Sequence, residues 1–544
     1  MSATTSLKDK LTSALPSGFQ CKIRYIRTQA KDCDALFPAF PGGQPERTRL
    51  TSHLLTVSVD PANVPSNSPP IPAGSADVLS FAIEVFVYTT KYLTTIFVSK
   101  IDSTSYIPRQ RPSPIQRTVT AFLEWLKDSQ LQKFPTRKVV ISLFARAQAQ
   151  YIFPGSSDDR GGAKYNKHVL DDRQLIKWWV RTIDPIISNS KSSETTYQGH
   201  LTVPGYEGNE LKRSFTPTSA DPTKPNWLPG NPLVELARAR GLPEHAPTRC
   251  LLPRFPDDPK ARFVLELDEE VGLSQESQAT TASPSKRKGR WTSVRDLKSF
   301  WDAMEFRQEC SSGRVVGFLW LVITPPGSDD ADIDETEPSS QISLADMLDG
   351  SAEKEENQPK QPSRDRPKKK RPLTGPIIPR PPRLKGGSSN LSQSSNRSTI
   401  GRSDLVRGLV VTKDGYDKAV QTLLSLDFAN LPIAVKSTKK WIFEVSSICG
   451  LGAGEDFSIS ITGTSPVEIT VVAGTHSSTT TEGSGSGGGG PVVNDLAGMV
   501  RKKRSATTTV DGLSTGEQTG ANSEAPGVNV LGSNTIRKKA KPSA

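Results

Sequence analysis

The sequence predicts an α/β fold, with helices packed around a β-sheet. Three observations carry this prediction. Short apolar runs alternate as strands do, amphipathic runs with helical spacing lie between them, and hydrophobic residues make up only 34% of the 544-residue chain. The low apolar content implies one substantial globular body with long segments outside it.

In chain order, residues 50–59 (LTSHLLTVSV) are rich in strand formers, and residues 78–88 (VLSFAIEVFVY) alternate as a buried strand does. A short polar turn leads to residues 95–100 (TIFVSK), set up as its antiparallel partner. Residues 112–127 change to helical spacing, with Ile115, Val119, Phe122, Leu123 and Leu126 on one face. Residues 139–144 (VVISLF) form the next strand. Asp171 or Asp172 caps a second helix carrying Leu175, Trp178, Trp179 and Ile183. Residues 293–309 are amphipathic, with Leu297, Phe300, Trp301 and Met304 inward, and residues 314–324 (RVVGFLWLVIT) close the body as a buried strand.

Residues 1–326 therefore form the expected folded core. Residues 327–404 turn acidic and Ser-rich, then Pro/Lys/Arg-rich, and are expected to be a disordered insertion; within it LADML, residues 344–348, is either a partner helix or nothing. Helical periodicity returns in residues 405–452, with Gly450 as a stop. Two helices are too small for a domain, so they are expected to pack on the core. Residues 453–544 read as a mostly disordered basic tail, its glycine run at 483–491 lacking the strand and the GK[ST] ending of a phosphate loop.

The net charge is +12, concentrated in KRKGR (286–290), KKKR (368–371), RKKR (501–504) and RKKAK (537–541). Such clusters suit nuclear import or an acidic partner, DNA or a histone chaperone among them, or they merely solubilise. Five cysteines without CxxC pairing and five unclustered histidines argue for a reducing compartment and against structural zinc. No apolar run approaches the roughly 20 residues that span a bilayer, and no signal-peptide core is visible, so the chain is expected to be soluble and not secreted. No GxSxG nucleophile elbow is visible, since GLSTG at 512–516 falls in the expected disordered tail, and HExxH is absent, which disfavours ordinary hydrolases and metalloenzymes.

The densest chemistry is RFPDDPKARF, residues 254–263, with two carboxylates between two prolines and Lys260 and Arg262 behind them. One reading is a helix start, with Asp258 as N-cap and Pro259 at the first helical position. The other is an active site in which one carboxylate orients or deprotonates an amine or hydroxyl. Adjacent carboxylates repel and raise one pKa, while Lys260 and Arg262 oppose that rise. A capping Asp258 would be held in its charged form by backbone N–H groups, and would orient rather than deprotonate.

FPDDPKARF, SFW at 299–301, RQE at 307–309, FVSKIDSTSY at 97–106, LFARAQAQYIFPGSS at 143–157, KHVLDDRQLIKWW at 167–179 and AVQTLLSLDF at 419–428 occur in one chain. Together they resemble the fungal histone H3 lysine acetyltransferases of the regulator-of-Ty-transposition family. The resemblance covers residues 6–326 and 405–452. It implies a fold related to the CREB-binding-protein acetyltransferases: a mixed central β-sheet surrounded by helices, with acetyl-CoA held under a long loop. It further implies acetyl transfer from acetyl-CoA to core-edge and tail lysines of histone H3, without a metal. Stimulation by histone chaperones of the anti-silencing-function and nucleosome-assembly-protein types is implied too, as is a nuclear role in replication-coupled chromatin assembly and the DNA damage response. The basic stretch 537–541 would suit an acidic chaperone surface.

Residue by residue, the resemblance implies that Ile101, Asp102, Ser103, Phe144, Gln148, His168, Val169, Leu170 and Trp178 bind the cofactor, with Arg109 and Arg111 near its phosphates. Asp258 is the implied catalytic carboxylate with Asp257 beside it, and Asp102 and Trp179 are activity-critical. Tyr151 and Trp179 would line the lysine channel, and Lys260 would be autoacetylated, which removes its charge and eases its burial. Without the resemblance, Phe144, Tyr151 and Trp178 read as packing residues. Trp178 and Trp179 point about 100° apart on a helix, which suits one to the cofactor slot and the other to the lysine side. Two competing readings are a non-catalytic basic chromatin-binding scaffold and a carboxylate-based hydrolase. The intact motifs argue against the first and the missing nucleophile against the second.

Overall fold

The computed structural model describes residues 5–64, 76–108, 110–157, 167–189, 194–218, 223–272, 289–307, 314–328, 408–452 and 455–466. Nearly all of the expected insertion, LADML within it, the tail beyond residue 466 with its glycine run, Arg109, and the basic clusters at 368–371, 501–504 and 537–541 lie outside the described residues.

Among the described residues the strands are β1 (Gln20–Thr28), β2 (Lys31–Cys33), β3 (Thr48–Val59), β4 (Val78–Thr89), β5 (Leu93–Ser103), β6 (Lys138–Ala145), β7 (Thr196–Thr202), β8 (Trp227–Pro229), β9 (Gly317–Thr324), β10 (Leu409–Val411) and β11 (Ile459–Thr462). They form one sheet in the order β10-β1-β3-β4-β5-β6-β9-β7-β8, with β2 on β3 and β11 on β1. The sheet is mixed: β5–β6, β7–β8 and β1–β10 are parallel, and the other pairs antiparallel.

The helices are α1 (Leu7–Ala14), α2 (Pro114–Lys133), α3 (Asp172–Ser188), α4 (Gly208–Phe215), α5 (Leu233–Ala239), α6 (Thr248–Leu251), α7 (Ala261–Glu270), α8 (Leu297–Glu305), α9 (Lys413–Ser425) and α10 (Leu431–Ile448). Side chains alternate across the pleat, so each central strand feeds two cores. Val139, Ile141 and Leu143 of β6 join Leu319, Leu321 and Ile323 of β9 beneath α1, α2, α3, α9 and α10. Val140, Phe318, Trp320 and Val322 face the other way, onto α5, α7 and α8. This is the mixed sheet surrounded by helices that the resemblance implies.

Local signals set the helix starts. Ser113 caps α2 with Pro114 in its first turn. Asp171, not Asp172, caps α3 in a reciprocal capping box with Gln174. Asp296 caps α8, which is shorter at both ends than the 293–309 expectation. Helices α9 and α10 pack on the core: Tyr416 Oη donates to Glu84 Oε1 at 3.2 Å, and Thr438 Oγ1 accepts from Leu79 N at 3.0 Å. Order continues past 452, since β11 pairs with the first half of β1 while β10 takes its second half.

Candidate active site

Strands β5 and β6 run parallel, and a cavity of about 460 Å³ opens where their carboxyl ends diverge under the amino end of α2. Its size falls in the range of small-molecule sites. Ile101, Asp102 and Ser103 line it from β5, and Phe144 from β6. Gln148 and Tyr151 come from the loop after β6, His168, Val169 and Leu170 from the approach to α3, and Trp178 and Trp179 from α3 itself. These are eleven of the residues expected from the sequence, gathered round one space. Trp178 and Trp179 meet edge to face, with ring centres 4.9 Å apart, and both border it.

Asp102 organises this wall. Its Oδ2 accepts from the backbone N–H groups of Tyr151, Ile152 and Phe153 at 2.8, 2.9 and 3.0 Å. Its Oδ1 accepts from Ser103 N at 2.8 Å and from the Lys167 ammonium at 2.5 Å. Lys167 also reaches Ser156 Oγ at 3.2 Å. The loop is held from behind by the C-terminal segment: Phe428 N donates to Pro154 O at 2.8 Å, and the rings of Phe153 and Phe428 meet edge to face. Gly155, at φ +76°, is required there, because a Cβ would meet the Asp427 carboxylate.

The RFPDDPKARF segment is clamped at both ends. Phe255 stacks on Phe97 of β5 with ring centres 4.0 Å apart, and Phe263 stacks on Phe300 of α8. Between them the structure corrects the helix-start reading. Helix α7 begins at Ala261, with Lys260 at the cap position, so Pro259 is not in its first turn. Asp258 instead closes a tight turn, its Oδ1 accepting from Lys260 N at 3.0 Å. Asp257 is left-handed, at φ +53°, which sends the two neighbouring carboxylates in different directions. Asp257 is largely exposed and pairs with Lys100 at 2.8 Å, while Asp258 is buried and pairs with the buried Lys260 ammonium.

The consequence for proton affinity is opposite to that expected of a cap. Burial pushes the Asp258 carboxyl above its ordinary range, and Lys260 and its N–H hold that rise back without reversing it. Burial likewise pushes Lys260 down against the pull of Asp258. Arg262 turns outward to Glu266 at 3.2 Å.

Asp257, Asp258 and Lys260 do not line the cavity. They stand behind its wall: Lys260 Nζ lies 5.4 Å from the centre of the Phe144 ring and 5.6 Å from that of Phe255. Arg111 does not border the space; Gln110 and Ser113–Gln116 do. Sequence reasoning missed the lining residues Lys100, Lys167, Arg146 and Gln116. Lys100 and Lys167 sit inside quoted motifs, and Pro114 after Ser113 is the helix-start signal that could have marked the α2 end.

An apolar slot from Ile101, Phe144, Leu170 and Trp178 beside the positive end of α2 suits a long, partly apolar ligand carrying phosphates. The histone acetyltransferase KAT11-type domain model matches residues 7–134 and 109–444. The chain is 35% identical, over an alignment of 603 residues, to histone acetyltransferase rtt109 of Aspergillus flavus, covering 98% of this chain and 99% of that one. It is 28% identical over 330 residues to histone acetyltransferase rtt109 of Schizosaccharomyces pombe, covering 58% of this chain and 71% of that one. The crystal structure of Rtt109 from Aspergillus fumigatus matches with a TM-score of 0.62 at 34% identity, covering 85% of this chain and all of that one. The chain therefore belongs to the fungal Rtt109-type histone acetyltransferases of the KAT11 family, and is a protein-lysine acetyltransferase.

Proposed function

We propose that the chain transfers the acetyl group of acetyl-CoA to core-edge and tail lysines of histone H3, in the nucleus, during replication-coupled chromatin assembly and the DNA damage response. Histone chaperones of the anti-silencing-function and nucleosome-assembly-protein types stimulate it. The observation that carries this reading is the convergence of the KIDS strand end, the FAR loop, KHVL and the tryptophan pair on one cavity, with the buried Asp258–Lys260 pair behind Phe144.

In this reading Ile101, Asp102, Ser103, Phe144, Gln148, His168, Val169, Leu170 and Trp178 hold acetyl-CoA, and the α2 end and Arg111's loop serve its phosphates. Tyr151 and Trp179 border the channel of the incoming lysine. A free lysine has a pKa of about 10.4, so its ammonium must lose a proton before it reacts. The neutral amine nitrogen attacks the thioester carbonyl carbon. A C–N bond forms and the C–S bond breaks, the electron pair leaving on the CoA sulfur, which takes up a proton. A carboxyl pushed above its ordinary range, as Asp258 is, is suited to accept the amine proton. While the Lys260 ammonium occupies Asp258 that capacity is blocked. Self-acetylation of Lys260 removes the positive charge and relieves the block.

The test is radiolabelled acetyl-CoA with histone H3–H4, with and without chaperone, on wild type and Asp258→Ala. Chaperone-stimulated labelling of H3, lost in the variant, is expected. A wild type that labels no histone with chaperone present would overturn the reading.

A further inference from the structure

Each of the three carboxylates at the site meets a lysine: Asp102 meets Lys167, Asp258 meets Lys260, and Asp257 meets Lys100. We propose that Lys100 is a positioning residue for acetyl transfer, bridging buried Glu84 and Asp257 so that the left-handed turn holds Asp258 inward. The inference rests on the role proposed for Asp258.

Lys100 lines the cavity, which Asp257 and Asp258 do not. A β-bulge between Glu84 and Val85 puts both Ser99 and Lys100 within reach of the Glu84 carboxylate, Ser99 Oγ donating at 2.9 Å and Lys100 Nζ lying 3.7 Å away. Bulges beside active sites re-aim side chains in this way. The other Glu84 oxygen accepts from Tyr416 of α9, so the anchor is tied to the C-terminal helices. From this anchor Lys100 reaches Asp257 Oδ2 at 2.8 Å. Burial alone would lower the Lys100 pKa, but the Asp257 and Glu84 carboxylates outweigh it and keep the ammonium charged.

Asp257 needs such a partner. Among the described residues it is the one non-glycine at positive φ, a conformation that persists where its surroundings impose it. If that backbone relaxed, Asp258 would lose the direction that seats it against Lys260 behind Phe144.

Lys100→Met, Lys100→Arg, Asp257→Ala and the double variant Lys100→Met/Asp257→Ala test this by steady-state kinetics on histone H3. Lys100→Met is expected to lower kcat about tenfold with the KM for acetyl-CoA unchanged, and Lys100→Arg to recover most of it. Because Lys100 acts through Asp257, the double variant should be no worse than either single one. Independent losses that multiply to about a hundredfold, an unchanged Lys100→Met, or a loss confined to KM would each overturn the proposal. Full activity in Asp258→Ala would overturn the reading beneath it.

Discussion

Asp102 and Asp258 are both buried and both meet a buried lysine, yet their partners come from different distances along the chain. Asp102 gathers three successive N–H groups 49 to 51 residues away, and an ammonium 65 residues away. Asp258 takes an N–H and its ammonium from Lys260, two positions on, and a further backbone contact from Phe255, three positions back. The first carboxylate joins loop, strand and helix approach into a cavity wall. The second is a local pair whose proton affinity is set by burial, and one modification on Lys260 would change it. The difference teaches that equal burial and equal pairing can serve architecture in one place and chemistry in another.

The largest expected effect comes from removing the long-range hub. Asp102→Ala strands the Lys167 ammonium and four N–H groups, and should cost about 3–5 kcal/mol in urea unfolding and abolish acetyl-CoA binding. Asp102→Asn keeps an acceptor and should recover part of both. An Asp102→Ala protein of wild-type stability would break the contrast.

Next comes the local pair. Asp258→Asn keeps an acceptor for Lys260 N but cannot take a proton and leaves the buried Lys260 without its carboxylate, so it should lower kcat about a hundredfold, as far as Asp258→Ala does, and cost about 3 kcal/mol of stability. An Asn variant much more active than Ala would return Asp258 to an orienting role.

Removing each lysine sharpens the comparison further. Lys167→Met leaves Asp102 four N–H donors and should cost about 2 kcal/mol. Lys260→Met leaves the Asp258 carboxyl buried with its pKa raised, so its effect depends on pH. Below the ordinary value of 3.8 both folded and unfolded chains hold the proton and no cost arises. As pH rises past it, the unfolded chain releases the proton while the folded chain keeps it, and stability falls by about 1.4 kcal/mol per unit until the folded carboxyl ionises. Unfolding measured from pH 3 to pH 8 checks this sign; stability of the variant that rises with pH across that window would contradict it. The smallest effect belongs to Lys298→Ala: its pair with Asp302 on α8 is exposed, and no measurable shift in Tm or kcat is expected.

Where apolar spacing is unbroken, the sequence was readable. β4 ends one residue past its expected limit, and α2 begins two residues after its expected start and runs six past its expected end. β1 was not read, because Lys22, Arg24 and Arg27 interrupt QCKIRYIRT. Arg24 is nevertheless 1% exposed, since Asp77 and Asp456, 53 and 432 residues away, bind its guanidinium. β10 and β11 span three and four residues, too short for any period to register. In the site, the motif residues were visible as types in order, whereas Lys100 and Lys167 matter through partners their neighbours in sequence do not reveal.

By itself the sequence determined the alternating strands, the amphipathic helices, and the family motifs that carry the aspartates, the tryptophans and Lys260. Only the tertiary structure decided that Asp257 faces Lys100 while Asp258 faces Lys260, that α7 starts after the lysine, and that the Asp258 carboxyl is pushed up instead of down. Propensity and periodicity act over a few residues, but burial and charge pairing depend on what the rest of the fold brings within a few ångströms. A carboxylate's chemistry follows the second.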